Sequence, residues 1–247
     1  MKAMILAAGL GTRLRPLTDS RPKALVEING RSLLEISLTR LHSFGINEVI
    51  INVHHFADMV IDYLQSSKNF GMRIEISRED ILLDTGGGLK KAAWFFLEDP
   101  ARLDEPFILH NVDVLSNIDL AQMLQFHNEY GALATLAVQS RESSRLLLFN
   151  EYLQLRGRRI NNQESLVPDS GGTPLRPLAF SGIHIISPRL LPMLTEQGVF
   201  SIIDSYLRLA AQDLKILAFL ADQYYWRDLG KPADLSQAAD DLEKKRI

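Results

Sequence analysis

The chain has 247 residues, of which 46% are hydrophobic and 23% are charged, and its formal net charge is −3. This negative charge argues against a general nucleic-acid binder, which needs an excess of Lys and Arg to neutralise phosphates. The sequence contains no cysteine, which excludes disulfides, thiolate metal ligands and cysteine nucleophiles.

The N-terminal segment has a lysine before a short apolar run, a pattern with which a secretory signal can begin. Arg13, Arg15 and Pro16 follow too closely for a small-residue cleavage site. We therefore interpret residues 3–7 as a buried strand and predict a cytoplasmic protein. No run approaches the roughly 20 apolar residues that a membrane span needs, so no membrane contact is expected.

The first half of the chain alternates strand-like and helix-like segments. In chain order we predict a strand over 3–7, a helix over 32–44, a strand over 48–53, a helix over 57–64, a strand over 72–76, a helix over 88–97 and a strand over 107–109. The first apolar run suits a strand that is buried on both faces. Because a helix between two strands is the usual crossover of a parallel sheet, this alternation predicts a mostly parallel sheet.

The second half mixes shorter elements. We predict a helix over 119–130, a strand over 132–138, a hairpin over 145–155 that turns at Asn150 and Glu151, a strand over 178–186, a helix over 202–211, a strand over 215–220 and a final helix over 233–245. The polar stretch 157–177 is predicted to be a mobile loop. No repeat is present, in particular no hexapeptide tract of a β-helix. We therefore predict one α/β domain over residues 1–247, with a mixed, mostly parallel central sheet, helices on both faces and no β-helix domain.

The strongest chemical feature follows the first predicted strand. Gly9-Leu10-Gly11-Thr12-Arg13 stands where parallel α/β sheets bind ligands, and its glycines let backbone N–H groups approach an anion. From Gly9 to Lys23 a single acid, Asp19, is outnumbered by four cations, which are Arg13, Arg15, Arg21 and Lys23. Such a local excess in an acidic protein indicates a polyphosphate ligand.

Two common phosphate motifs do not fit this segment. The third glycine of the dinucleotide fingerprint would fall at Leu14, and Pro16 prevents the helix that should follow at once. A P-loop would need a Gly-Lys-Ser/Thr, which does not follow. From the glycine spacing alone, a tight turn followed by a solvated basic loop stays open as an alternative.

A longer pattern favours the phosphate interpretation. Leu6-Ala-Ala-Gly-Leu-Gly-Thr-Arg-Leu-Arg-Pro-Leu-Thr18, continuing to Pro22-Lys23-Ala-Leu-Val26, closely resembles the signature of the sugar-1-phosphate nucleotidyltransferase family. The likeness extends to about residue 235 and is closest to the short branch that includes N-acetylmuramate 1-phosphate uridylyltransferases and mannose 1-phosphate guanylyltransferase-like proteins. It implies a Rossmann-like fold in which about residues 1–115 bind the nucleotide, 116–235 bind the sugar and 236–247 form a terminal helix.

The resemblance implies roles for the residues of this motif. Arg13 would grip the leaving pyrophosphate, and Lys23 would bridge phosphate groups at the reacting centre. The loop of Gly9, Gly11 and Thr12 would wrap the β- and γ-phosphates. The nucleobase pocket would be lined by Leu6, Ala7 and Ala8.

Two separated aspartates are candidate metal ligands. Asp113 follows a predicted buried strand in Asn111-Val112-Asp113, and Asp228 lies in Tyr225-Trp-Arg-Asp-Leu-Gly230. Magnesium typically takes one or two protein carboxylates together with phosphates and water, although an isolated Asp is more often a turn residue or a helix cap. Family members carry Mg²⁺-binding aspartates at corresponding places, which implies that Asp113 and Asp228 meet in one cleft. Val112 replaces the family's usual glycine.

The stretch Ser77-Arg78-Glu79, followed by Asp84-Thr85-Gly86-Gly87-Gly88, has two interpretations. The glycine run could simply allow close packing at a helix start. By resemblance, Glu79 would read the base, with Thr85, Gly86 and Gly87 at the pocket wall. Because a carboxylate only accepts hydrogen bonds, Glu79 could take the N–H groups of guanine or the N3–H of uracil, and the base stays open.

On the sugar side, Phe180-Ser181-Gly182-Ile183-His184 resembles the family's strand whose glycine lets the sugar approach. Asn111, Ser181 and Gly182 are the candidate sugar contacts. The Glu-Lys-Pro element of many members is absent. The cations nearest to that region are Arg156, Arg158 and Arg159.

The resemblance implies a Mg²⁺-dependent transfer of a nucleotidyl group from a nucleoside triphosphate to a sugar 1-phosphate, by in-line displacement with release of pyrophosphate. The expected pairs are UTP with an N-acetylmuramate-type sugar or GTP with mannose 1-phosphate. Two alternatives are a catalytically silent subunit that binds nucleotide sugars and a cytidylyltransferase acting on phosphocholine. No nucleic-acid partner is expected, and the chain is expected to be a monomer or a homodimer.

Overall fold

A computed structural model describes residues 1–168 and 174–244 of the chain. In this part the strands are β1 (Lys2–Leu6), β2 (Glu27–Ile28), β3 (Arg31–Ser32), β4 (Glu48–Val53), β5 (Arg73–Arg78), β6 (Phe107–Asn111), β7 (Val114–Ser116), β8 (Ala134–Gln139), β9 (Arg145–Phe149), β10 (Leu155–Ile160), β11 (Gln163–Leu166), β12 (Arg176–Ile186), β13 (Ile216–Leu220) and β14 (Trp226–Asp228). The α-helices are α1 (Leu33–Ser43), α2 (Ala57–Ser66), α3 (Asp84–Leu97), α4 (Leu120–Glu129), α5 (Ile202–Ala210) and α6 (Pro232–Glu243).

The central sheet contains ten strands in the order β11-β10-β9-β12-β6-β1-β4-β5, with β8 paired to β12 and β13 paired to β8. Strands β5, β4, β1 and β6 are parallel to one another, whereas β12 is antiparallel to β6. The predicted α/β class with a mixed, mostly parallel sheet is thereby confirmed. Parallel pairing places Leu6 of β1 beside Asn52 of β4 and Asn111 of β6, so the carboxyl ends of three central strands meet at one edge.

Helices cover both faces of this sheet. On β1, Ala3 and Ile5 join the core under α1, α2, α4 and α6, while Met4 joins the core under α3 and α5. Because β1 is buried on both faces, its sequence is continuously apolar from Ala3 to Leu6 rather than alternating. Within the described residues, no helix is long and apolar enough to span a membrane.

Helix starts agree with their local sequence. The Ser32 hydroxyl oxygen accepts a hydrogen bond of 3.0 Å from the amide of Glu35, which caps α1. Asp119 caps α4 in the same way, through the amides of Ala121 and Gln122. These caps explain why both helices begin within one residue of the predicted positions.

The predicted mobile loop over residues 157–177 is wrong for most of its length. Strand β10 continues to Ile160, and β11 pairs with it antiparallel from Gln163 to Leu166. Every residue of β11 is exposed, so this edge strand has no buried face and its polar sequence resembles that of a loop. Residues 169–173 lie outside the described part, and β12 begins at Arg176 rather than at 178. The predicted hairpin is confirmed, although its second strand begins only at Leu155.

Candidate active site

The loop after β1 folds back over the end of the sheet. Gly11 has φ +65°, and a Cβ atom there would lie 2.9 Å from Thr18 Cγ2 and 3.1 Å from Lys23 Cβ. The Thr18 hydroxyl donates a hydrogen bond of 2.9 Å to the carbonyl oxygen of Gly11. Only glycine therefore combines this backbone conformation with the close approach of the segment that carries Lys23.

A cleft of about 430 Å³ opens at this edge of the sheet. Its lining includes ten of the predicted site residues, which are Leu6, Ala8, Gly9, Gly11, Thr12, Arg13, Lys23, Thr85, Asn111 and Asp113. Four predicted nucleotide-binding residues are not part of the lining, namely Ala7, Glu79, Gly86 and Gly87. The glycine loop, one of the two aspartates and two of the four cations, Arg13 and Lys23, are thus brought together at the cleft.

Lys23 forms an ion pair with Asp113 at the floor of the cleft. The Lys23 residue is only 8% exposed, and Asp113 is the second residue after the buried strand β6. A buried ammonium group is costly without a partner, so the carboxylate of Asp113 compensates the charge of Lys23. The ion pair therefore fixes the positions of both side chains at the cleft.

Asp228 reaches the same place through a two-stranded ribbon. Strand β14 pairs antiparallel with β7, which places Asp228 opposite Val114, the residue after Asp113. The amide of Leu229 donates a hydrogen bond of 2.8 Å to the carbonyl oxygen of Asp113 and closes the ribbon. The two aspartates that are distant in sequence are thus neighbours in the fold.

The negative charge of Asp228 is only partly compensated by the residues around it. Burial and, after it, the negative charge of Asp113 raise the pKa of Asp228, while Lys23 and Arg13 act in the opposite direction. The Asp228 Oδ1 atom is buried and has no hydrogen-bond partner in the described part of the chain. Arg13 Nη2 lies 3.9 Å from the other carboxylate oxygen. Two adjacent carboxylates with an unsatisfied oxygen fit a divalent cation.

No group of three or more His, Asp or Glu side chains that could hold a metal occurs within residues 1–168 and 174–244. A cation at Asp113 and Asp228 would therefore need further oxygen ligands from a substrate or from water. This requirement suits Mg²⁺, which keeps waters and binds substrate phosphates in addition to one or two carboxylates.

Glu79 lies behind the cleft wall rather than on it. Its Oε1 accepts a hydrogen bond of 2.8 Å from Asn52 Nδ2, and its Oε2 accepts one of 2.9 Å from the amide of Leu83. Asn52 Oδ1 in turn accepts the amide of Ala7 at 2.7 Å. Direct reading of a base by Glu79 stays a prediction, because this side chain is held by buried hydrogen bonds and does not line the cleft.

Asn52 is a cleft residue that the sequence interpretation missed. It stands near the end of β4, in a run that is otherwise apolar from Val49 to Val53. A polar residue at the carboxyl end of a buried parallel strand was the available signal. Three hydrogen bonds in series link Ala7, Asn52, Glu79 and Leu83, and they connect the loop after β1 to the segment before α3.

The glycines at the start of α3 serve close packing. A Cβ on Gly86 would lie 2.3 Å from the ring of Phe200, and one on Gly87 would lie 2.6 Å from the carbonyl oxygen of Gly198. Thr85 Oγ1 accepts a hydrogen bond of 3.0 Å from the amide of Ile202. Of these three predicted wall residues, only Thr85 lines the cleft.

A second cavity of about 560 Å³ adjoins the first. Both are lined by Arg13, Asp84, Thr85, Asn111 and Asp113, and Asp228 and Gly182 line the second. Gly182 has φ +74°, and a Cβ there would lie 2.9 Å from Asn111 Nδ2. The second cavity thus begins where the aspartates meet and continues along β12.

Ser181 is fully buried and does not line the second cavity. Its carbonyl oxygen accepts a hydrogen bond of 2.7 Å from the indole of Trp226. The backbone of Ser181 therefore anchors β14, which carries Asp228. A sugar contact by the Ser181 hydroxyl stays a prediction that the burial of this side chain does not favour.

The predicted cations lie at different distances from this cavity. Arg158 lines it and pairs with Asp204 at 2.5 Å. Arg159 pairs with Glu164 at the sheet edge, and Arg156 lies 3.3 Å from Asp213. The sequence interpretation missed Arg141, which lines the cavity and stacks on Trp226.

The sequence of the chain is similar to those of known nucleotidyltransferases. Residues 2–146 match the family model described as nucleotidyl transferase. The chain is 34% identical over 236 residues to the N-acetylmuramate alpha-1-phosphate uridylyltransferase of Caulobacter vibrioides, covering 93% of this chain and 92% of that protein. It is 30% identical over 244 residues to the mannose-1-phosphate guanylyltransferase catalytic subunit beta of Xenopus tropicalis, covering 95% of this chain but only 62% of that relative.

Solved structures agree on the fold. Apo UDP-glucose pyrophosphorylase superposes with a TM-score of 0.76 at 21% identity, covering 100% of this chain and 99% of that one. HddC from Yersinia pseudotuberculosis superposes with a TM-score of 0.74 at 22% identity, covering 98% and 99%. At these identities the likeness concerns the fold alone.

Proposed function

The chain belongs to the nucleotidyl transferase family, and we propose that it transfers a uridylyl group from UTP to an N-acetylmuramate-type sugar 1-phosphate. The products are an NDP-sugar and pyrophosphate. The observation that carries this proposal is the convergence of Arg13, Lys23, Asp113 and Asp228 at the junction of two cavities. One cavity has the glycine loop for a triphosphate, and the other has space for an acceptor.

The choice of acceptor and base rests on relatedness. The Caulobacter relative, named as an N-acetylmuramate uridylyltransferase, is matched over 92% of its length. The guanylyltransferase relatives carry additional sequence, since this chain spans 62% of them. GTP with mannose 1-phosphate is therefore the second substrate pair to test. Activity with that pair would change the assigned substrates but not the type of reaction.

The two rival interpretations find less support. A catalytically silent subunit has no physical need to keep an ion-paired Lys23 and Asp113 beside an unsatisfied Asp228. A phosphocholine site would need an aromatic face for a quaternary ammonium. The face of Trp226 is already covered by the guanidinium of Arg141, whose carbon lies 3.7 Å from the ring centroid.

The chain's own residues would bind and orient the triphosphate. Gly9 lines the cleft and nothing lies within 4 Å of a Cβ at that position, so a phosphate could approach the backbone of the loop there. Arg13, exposed at the cleft mouth, would neutralise the β- and γ-phosphates as they leave. Lys23 would exchange its ion pair with Asp113 for the phosphates at the reacting centre.

Asp113 and Asp228 would hold Mg²⁺, each supplying carboxylate oxygen. When bound, the cation supplies charge neutralisation for the triphosphate and the developing pyrophosphate. The unsatisfied Oδ1 of Asp228 and the effect of Asp113 on its pKa support this assignment.

The reaction needs no protein nucleophile. An oxygen of the acceptor's phosphate forms a bond to the α-phosphorus, and the bond from that phosphorus to the oxygen bridging the α- and β-phosphates breaks. The electron pair leaves with pyrophosphate, and no proton has to move. The task of the residues is alignment and charge stabilisation, which accounts for most of the catalysis in such transfers.

The test is pyrophosphate release with Mg²⁺ over a grid of four nucleoside triphosphates and three acceptors, which are N-acetylmuramate 1-phosphate, mannose 1-phosphate and glucose 1-phosphate. The highest kcat/KM is expected for UTP with N-acetylmuramate 1-phosphate. A preference for GTP with mannose 1-phosphate would overturn the substrate assignment. No pyrophosphate from any pair would overturn the proposed reaction.

A further inference from the structure

Arg141 stands in the second cavity on a loop between β8 and β9. Its guanidinium carbon lies 3.7 Å from the centroid of the Trp226 ring, and its Nη2 donates a hydrogen bond of 2.7 Å to the carbonyl oxygen of Phe180. Stacking and a hydrogen bond together hold the planar group in one orientation, as they would not hold a flexible lysine. Arg141 is therefore a fixed cation on the acceptor side.

The charge of Arg141 is not compensated by a carboxylate in direct contact. In the described residues its guanidinium contacts the ring of Trp226 and the carbonyl oxygen of Phe180, neither of which is charged, and its Nε is buried without a hydrogen-bond partner. Burial lowers the pKa of Arg141, with Asp228 acting weakly in the opposite direction. A partly buried cation with a free donor is costly alone, and an anionic ligand would remove that cost.

Strand β14 determines where Arg141 lies relative to Asp228, the proposed metal ligand. Trp226 and Asp228 are two residues apart on this strand, so their side chains point to the same face, about 7 Å apart. The guanidinium stacked on Trp226 is thus close enough to the carboxylate of Asp228 that a single phosphate group could lie between them. An anion held by Arg141 would lie next to the reacting centre.

Other cations of the cavity are less suited to this position. Arg158 already pairs with Asp204, and it lies on β10 at the outer wall. Arg145 is exposed on β9, opposite Ile160 of β10. Both belong to the β9–β10 hairpin, whereas Arg141 contacts the strand that carries Asp228.

We infer that Arg141 binds the phosphate of the sugar 1-phosphate and orients its attacking oxygen towards the α-phosphorus. This inference rests on the proposed function and assigns a residue to the acceptor phosphate in a chain that lacks the Glu-Lys-Pro element. The hydrogen bond to Phe180 uses Nη2 and the ring of Trp226 covers one face of the guanidinium, so Nη1 is the group that is left to donate to a phosphate oxygen as a charge-assisted hydrogen bond.

The test compares Arg141→Gln and Arg141→Lys with wild type in steady-state pyrophosphate release, using UTP and N-acetylmuramate 1-phosphate or whichever pair the grid selects. Loss of a charge-assisted contact predicts a rise of about 10- to 100-fold in the acceptor KM. The UTP KM should stay within about twofold, because Arg141 does not line the nucleotide cleft. The Lys variant keeps the charge but loses the stack, so an intermediate KM is expected. Arg159→Gln is the matched control, because Arg159 pairs with Glu164 outside both cavities.

A second measurement separates the phosphate from the sugar. N-acetylmuramate without the phosphate is used as a competitive inhibitor, and its inhibition constant should be the same for wild type and Arg141→Gln. An equal loss for inhibitor and substrate would overturn the phosphate contact.

Unchanged acceptor KM in the Gln variant, or an equal rise in both KM values, would overturn the inference while the reaction itself stands. If the Gln variant does not bind UTP in calorimetry because it does not fold, the Lys variant decides by the same criterion. An inactive wild type would instead refute the proposed function and the inference with it.

Discussion

The carboxylate of Asp228 is placed beside that of Asp113 by the β7–β14 ribbon, and burial together with the charge of Asp113 raises the pKa of Asp228. Lys23 and Arg13 lower the pKa of Asp228 and so offset part of this effect, and one of its oxygens has no hydrogen-bond partner in the described residues. The site is therefore electrostatically incomplete until a cation joins it. This relationship leads to two predictions.

The first prediction concerns pH. Asp228 should protonate at a higher pH than the ordinary aspartate value of 3.8, because its pKa is raised. Protons and Mg²⁺ compete for the same carboxylate, so the acidic limb of kcat/KM should move to lower pH as Mg²⁺ concentration rises. Rate profiles at two Mg²⁺ concentrations measure this. A limb that stays in place would contradict the assignment of Asp228 as a ligand.

The second prediction concerns Asp228→Asn. A carboxylate with a raised pKa in the folded state costs stability while it is ionised, and that cost disappears as pH falls through its folded pKa. Without Mg²⁺ at pH 7, the variant should therefore unfold at a Tm no lower than that of wild type. Its turnover with Mg²⁺ should nevertheless fall by roughly 100-fold or more. A large fall in Tm would indicate a structural role for Asp228 instead.

The third prediction concerns Glu79. In Glu79→Gln the side-chain NH₂ group faces either Asn52 Nδ2 or the backbone amide of Leu83, and both of these groups are hydrogen-bond donors. Because residue 79 is only 3% exposed, water cannot readily accept the unpaired hydrogen bonds. The variant should lose about 1–3 kcal/mol of unfolding free energy in denaturant titrations. Glu75→Gln, four residues earlier on β5 and with a side chain that is 40% exposed, is the control and should stay within about 0.5 kcal/mol. If the variant instead keeps its stability but changes its preference between UTP and other triphosphates, the result would support direct recognition of the base by Glu79.

The fourth prediction contrasts two glycines. Gly86→Ala would bring a methyl group 2.3 Å from Phe200 and 2.9 Å from the Ile202 amide nitrogen, so it should cost about 1–3 kcal/mol of stability. Gly9→Ala meets nothing within 4 Å and should keep the stability of wild type. The added methyl stands where a triphosphate would approach, so the UTP KM should rise. Thermal unfolding and steady-state kinetics of both variants check this contrast, which fails if Gly9→Ala loses stability instead.

The parts of the site that the sequence predicts are those carried by one contiguous segment. Gly9, Gly11, Arg13 and Lys23 lie within one loop, and their type and spacing already indicate a phosphate ligand. From the sequence alone Asp113 and Asp228 are each interpreted more readily as a turn residue or a helix cap, and resemblance rather than spacing identified them as candidate ligands. Their meeting depends on β7 pairing with β14, which no local pattern predicts.

Other residues depend on contacts between distant segments and could not be placed from the sequence. Glu79 has the right residue type for reading a base, but Asn52 lies between it and the cleft. Arg141 acquires its role from Trp226 and Phe180, which come from two other strands. Strand β11 was hidden for another reason, since an exposed edge strand lacks the buried alternation by which strands are recognised.

The central claim is that Lys23 and Asp113, joined in one ion pair, catalyse nucleotidyl transfer. Its most direct test is pyrophosphate release from UTP and a sugar 1-phosphate by wild type, Lys23→Ala and Asp113→Ala at saturating Mg²⁺, with UTP binding measured on the same preparations. We predict formation of NDP-sugar and pyrophosphate in equal amounts by wild type, and turnover lower by roughly 100-fold or more in each variant while the fold is retained. Near-normal pyrophosphate release from either variant would contradict the account.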